Sequence, residues 1–162
     1  SFTSGIDDTY DSYVFKFITM HPSIDNTNFL INFSTDGGSN YNVTKTTTFF
    51  RADHTPSNGN TELAYKAGED LAQSTSDQIL QRTFSTDNDR AGSGVVQLFS
   101  PSSTVFVKHF ICDGNTITHS ADNSSRNFIA GYGNTTSAID AVRFKMSSGN
   151  IDSGVIKLYG IS

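Results

Sequence analysis

The chain of 162 residues has no tryptophan and a single cysteine, Cys112. One cysteine cannot close an internal disulfide, so the fold has to stand on its core rather than on cross-links. Without tryptophan, any sugar-stacking surface falls to tyrosines near loops: Tyr10, Tyr41, Tyr65 and Tyr132. Basic residues are also few, 11 Lys and Arg against 16 Asp and Glu, for a net charge of -5 and a pI near 5.1. Being scattered singly, they form no electrostatic footprint for DNA or RNA, and no nucleic-acid partner is expected. No apolar run approaches the length of a membrane span, and the first residues lack the charged-then-apolar order of a signal peptide. A soluble protein without membrane insertion is expected.

What the chain has instead is hydroxyl and amide polarity. Only 17% of residues are charged, while Ser, Thr and Asn make up about a third of the sequence, a balance common in β-rich extracellular and viral proteins. Thirteen Phe residues supply most of the candidate core. The length suits one self-sufficient domain spanning 1–162.

Period-two alternation recurs at short spacing. Tyr13, Phe15 and Phe17 share one strand face, as do Phe29, Ile31 and Phe33. The second run leads into the turn 35–40, and a partner strand is expected from Tyr41 to Phe50, rich in β-branched residues. Leu63, Ala67 and Leu71 fall four apart and Glu62 precedes Lys66 by four, which allows a short helix between Thr61 and Gln73. Further strands are expected at Gln78–Phe84, Gly94–Ser100, Thr104–Cys112, Asn127–Tyr132, Ala138–Met146 and Gly154–Ile161. Phe144–Met146 and Val155–Tyr159 flank a Gly/Ser/Asn/Asp turn, so the C-terminus reads as a hairpin ending in a core strand. About nine or ten strands without strand-helix alternation predict an all-β, antiparallel, jelly-roll-like β-sandwich.

Candidate sites are sparse. Ser34-Thr35-Asp36-Gly37-Gly38-Ser39-Asn40-Tyr41 resembles the Asp box of sialidase-like β proteins, which is a folded corner rather than a catalytic site. Thr86 to Gly92 carries Asp87 and Asp89 in a polar loop that could begin a calcium site but lacks the further ligands one needs. No metal or cofactor is therefore expected, and Asp87 and Asp89 are retained only as binding residues. His21, His54, His109 and His119 match no zinc spacing, and His109 is expected to be partly buried in the alternation Val105, Val107, His109, Ile111. No Gly-x-Ser-x-Gly elbow is present, and the acids lie mostly in polar loops, so no catalytic residue is assigned. Tyr65 and Tyr132 are the tyrosines best suited to stacking on a ligand.

The opening Phe2-Thr3-Ser4-Gly5-Ile6-Asp7-Asp8-Thr9-Tyr10-Asp11-Ser12-Tyr13-Val14-Phe15-Lys16-Phe17, followed by His21-Pro22, resembles a group of virion structural proteins from marine tailed phages, including cyanophages. Leu98-Phe99-Ser100-Pro101, Phe106-Val107-Lys108-His109-Phe110, Phe144-Lys145-Met146-Ser147-Ser148-Gly149-Asn150 and Lys157-Leu158-Tyr159-Gly160 continue the likeness along nearly the whole chain. The resemblance implies a non-enzymatic component of the tail, a fibre or the capsid surface, made in the host cytoplasm and located in the virion. It also implies an attachment segment preceding Ser1, and other virion proteins and further copies of the chain as partners. In this reading polar loops at one end of the sandwich make the contacts. A receptor-binding module for host-surface glycan is the second expectation, and an enzyme that degrades polysaccharide is the third.

Overall fold

The computed structural model describes residues 1–120 and 122–162. Among these there is no helix, and ten antiparallel strands follow one another: β1 (Ser12–Pro22), β2 (Thr27–Ser34), β3 (Lys45–His54), β4 (Thr61–Tyr65), β5 (Gln78–Phe84), β6 (Gly92–Phe99), β7 (Lys108–Ile117), β8 (Ser124–Gly133), β9 (Ala141–Met146) and β10 (Ile151–Ile161). They form a seven-stranded sheet in the order β10-β1-β6-β7-β8-β3-β4 and a three-stranded sheet in the order β5-β2-β9. The architecture is thus an all-β sandwich. The seven-and-three division does not by itself identify a jelly roll, whose two sheets are usually of similar size.

Phenylalanine rings from the two layers interlock to make the core. Phe15 meets Phe144 at 5.3 Å, Phe17 meets Phe29 at 5.2 Å and Phe33 meets Phe110 at 5.1 Å between ring centres. Each fully buried ring contributes roughly 1.5–3 kcal/mol of transfer free energy. The fit depends on two glycines. Gly94 and Gly114 oppose each other across β6 and β7, and a Cβ on Gly94 would lie 2.6 Å from the Phe17 ring and 2.5 Å from the Asp113 carbonyl oxygen. The missing side chain of Gly114 also admits Gln81, whose amide donates to the carbonyls of Ser93 at 3.1 Å and Asn115 at 2.8 Å.

The Asp-box segment folds as the corner it resembles. Asp36 accepts from the Asn40 side chain at 2.7 Å, from the Asn40 backbone at 2.8 Å and from the Ser34 hydroxyl at 2.7 Å, while Gly37 and Gly38 take φ of 70° and 86°. These donors hold the Asp36 carboxyl down at about 2.

Three local expectations are corrected. Beyond one backbone hydrogen bond from Val43 to the Phe33 carbonyl at 3.5 Å, the segment after this corner forms no ladder with β2: β3 begins at Lys45, lies in the other sheet and pairs with β8 and β4. Phe144–Met146 and the last strand likewise form no hairpin. β9 pairs with β2, while β10 pairs with β1 and is a largely exposed edge strand rather than a core strand. The turn between them is tied to the β1–β2 connection and the start of β2, with the Ser147 amide donating to the Asn28 carbonyl at 2.8 Å and the Ser23 amide to that of Asn150 at 3.0 Å. The two corners therefore run side by side and carry both chains from one sheet to the other.

The third correction concerns the possible helix. Thr61–Tyr65 is β4, paired with Phe50–His54, and the Glu62–Lys66 ion pair forms at 3.0 Å on extended and turn backbone. A strand wins here because β3 offers an open edge, whereas Leu63, 73% exposed, finds no apolar surface for a helix to bury it against.

Two lysines, Lys45 and Lys108, are fully buried and oppose Gly133 from either side. The Lys45 ammonium donates to Asn32 Oδ1 at 2.6 Å and to the Val43 carbonyl at 2.7 Å. Burial lowers its pKa to about 8, with the charge of Asp77 opposing that shift and the charge of Arg143 adding to it.

Candidate binding groove

The solvent face of the seven-stranded sheet is built by the alternation that builds the core. In a strand the side chains next to buried ones must point outward, so the doublet Phe49-Phe50 buries one ring and exposes the other. Phe50 opposes Phe128 on β8 and Tyr65 on β4, which sets three aromatic residues in one row across the sheet. Phe50 and Phe128 stack at 4.8 Å with planes 13° apart.

Beside this row the sheet surface dips over Ala130, whose methyl group lies between the larger side chains around it. One hollow of about 390 Å³ is bordered by Phe50, Phe128, Val14, Val95, Gln97 and Ile111. A second of about 330 Å³ shares Ile111 and Ala130 with it and extends to His109 and Tyr132. Together they form a shallow apolar groove across the middle of the sheet.

The polar wall of the groove is fixed in place. Arg126 donates through Nε to Asp113 Oδ1 at 2.9 Å and through its terminal nitrogen to Oδ2 at 2.6 Å, and its guanidinium lies 4.6 Å from the centre of the Phe128 ring. This bidentate pair holds the Asp113 carboxyl below the ordinary carboxylate range. Arginine, carboxylate and stacked rings supply donors, acceptors and a flat apolar surface within one patch.

Of the residues expected from sequence, Tyr132 lines the groove and Tyr65 ends its aromatic row. Both hydroxyls are oriented. Tyr132 accepts from the Gln73 amide at 3.3 Å, and Tyr65 donates to the Asp70 carboxylate, which raises the phenol's pKa. Asp87 and Asp89 lie elsewhere, on the exposed β5–β6 loop. Asp87 pairs with Arg90 at 3.1 Å, and Asp89 borders a separate hollow beside His21. No group of three or more His, Cys, Asp or Glu side chains placed to hold a metal occurs among the described residues.

The expectation for His109 is corrected as well. It is exposed, because Lys108, Phe110 and Cys112 take the inner face and leave Val107, His109 and Ile111 to the outer one. Nothing in the sequence marks Phe50 or Phe128 as a binding residue. The Phe49-Phe50 doublet was the available signal of an exposed ring, since adjacent strand residues cannot both be buried on one face.

No protein-family model matches the chain, and no curated protein or solved structure matches it.

Proposed function

We propose that the chain is a non-enzymatic binding module of a phage virion, whose outer sheet face engages a sugar polymer of the host surface. The observation that carries the sugar-binding reading is the exposed Phe50–Phe128 stack beside the fixed Arg126–Asp113 pair. Flat apolar rings complement the C–H faces of a sugar, and a rigid donor-acceptor pair complements its hydroxyls at little entropic cost. The virion placement rests on the motif resemblance along the chain.

The non-enzymatic reading is supported by the groove's carboxylate: Arg126 lowers the pKa of Asp113, which suits it poorly to be the protonated acid that glycoside cleavage needs near neutral pH. Contacts with other virion proteins or further copies are assigned to a different place. Val105 and Phe106, 70% and 71% exposed, form an apolar tip on the β6–β7 connection.

A glycan array read with wild-type protein and with Phe50→Ala/Phe128→Ala tests the groove. Saturable binding lost in the double variant is expected. An array without a hit, or a hit unaffected by the two substitutions, would remove the groove from the proposal. Release of reducing ends from a bound polymer would overturn the non-enzymatic part.

A further inference from the structure

The row of side chains holding Phe50 and Phe128 does not end at the groove. Phe128 opposes Asp113, Asp113 opposes Val95, Val95 opposes Lys16 and Lys16 opposes Lys157. Residues directly opposite in an antiparallel pair project from the same face, so the two lysines stand on the face that carries the rings. Lys16 is also two residues from Val14, which borders the groove. Three strand spacings separate Lys16 from Phe128, roughly 14 Å, the span of a few sugar rings.

Like charges directly opposite one another destabilise a sheet. Lys16 and Lys157 are both exposed, and among the described residues neither enters an ion pair. The Lys16 ammonium lies over the Tyr159 ring, 5.2 Å from its centre. Asp113, the carboxylate of the row, is already engaged by Arg126 on its far side. A chain with net charge -5 thus keeps two unneutralised cations beside its aromatic groove.

Resting on the groove reading above, we infer that the ligand is an acidic polysaccharide, with a ring against Phe50 and Phe128 and a carboxylate or sulfate group between Lys16 and Lys157. An ammonium is a compact point charge that accepts either anion without the planar geometry arginine demands. The rings make sugar the ligand class, and the lysines make it an acidic one.

Binding of intact protein to immobilised polygalacturonate, dextran sulfate, neutral dextran and poly-L-glutamate tests the inference, using wild type, Lys16→Gln/Lys157→Gln and Phe50→Ala/Phe128→Ala. Binding to at least one of the two acidic polysaccharides is expected, weakened about tenfold by the lysine variant and by added salt, and abolished by the phenylalanine variant. The lysine variant should melt no lower than wild type, since it removes a repulsion. Dextran bound as tightly as the acidic polymers, with no effect of the lysine variant, overturns the acidic ligand while leaving the groove intact. Equal binding to poly-L-glutamate, insensitive to loss of the rings, overturns a sugar ligand and points to an acidic protein partner. No binding to any sugar, here or on the array, overturns the groove reading and this inference with it.

Discussion

Phe50 and Phe128 stack across β3 and β8 at 4.8 Å on the outer, solvent-facing side of the sheet, Phe50 remaining 41% exposed. Removing such a ring gives back only part of a buried side chain's transfer free energy. Phe50→Ala should therefore cost about 1 kcal/mol of stability, and a double-mutant cycle with Phe128→Ala should show coupling of about 0.5–1.5 kcal/mol. Urea denaturation of the four proteins checks both values, and zero coupling would show that the stack is only proximity.

Gly94 is predicted to tolerate no side chain. A Cβ there would meet the Phe17 ring, the Asp113 carbonyl and Gly114 Cα within 2.6 Å, and two of these three contacts are backbone. Gly94→Ala should lower stability by about 1–3 kcal/mol, the usual range for overpacking a close-packed core. Gly68→Ala, where a Cβ meets nothing within 4 Å, is the control and should leave the melting temperature near that of wild type.

The buried ammonium of Lys45 makes stability depend on alkaline pH. Its folded pKa, about 8, lies below its ordinary value of 10.5, so between these limits the unfolded chain binds more protons and folding becomes more favourable as pH rises. The contribution is fully present above 10.5 and is lost as pH falls through about 8. Lys108, lowered for the same reason, acts in the same direction. Tyr13 and Tyr65, whose phenol pKa values are raised, oppose them near their ordinary value of 10.0, and Cys112, raised far above its ordinary 9.0, opposes them from about pH 9. Urea midpoints of wild type should climb from pH 8 to pH 9 and level off above it, with Lys45 alone adding at most about 1.4 kcal/mol per pH unit. Lys45→Met should show a shallower climb, and an identical slope would contradict the burial argument.

Cys112 is 4% exposed, and burial, reinforced by the charge of Asp113, pushes its thiol far above the ordinary range. A thiol-specific disulfide reagent at pH 8 should leave the native protein unmodified and react fully in denaturant. Labelling at intermediate urea should track the unfolding transition, and rapid modification of the native protein would place the sulfur at the surface.

Phe106 tests the assembly contact. Phe106→Asp removes an apolar side chain that is already 71% exposed, so the melting temperature of the isolated chain should move little. Light scattering of wild type should report a multimer that the variant dissociates. A wild-type monomer at high concentration would leave the loop without this role among copies of the chain.

The core phenylalanines and the Asp-box corner were legible because both are local. Period two puts Phe15 and Phe17, or Phe29 and Phe33, on one face whatever they pair with, and Asp36 finds its partners within four residues. The groove was only partly legible. Tyr65 and Tyr132 drew notice as loop-proximal tyrosines, whereas Phe50 and Phe128, nearly eighty residues apart, meet only through the β3–β8 register.

The sequence by itself determined an all-β chain, its inward-facing rings and its polar corners, since these follow from alternation, β-branching and turn chemistry within a few residues. Only the tertiary structure decided which strands are neighbours. It sent β2 and β3, and β9 and β10, to different sheets, where local order had suggested that each pair would join. It also decided which face of each strand meets water. Strand pairing is settled by non-local backbone hydrogen bonds and by packing of one whole layer on the other, and no window of sequence contains both partners.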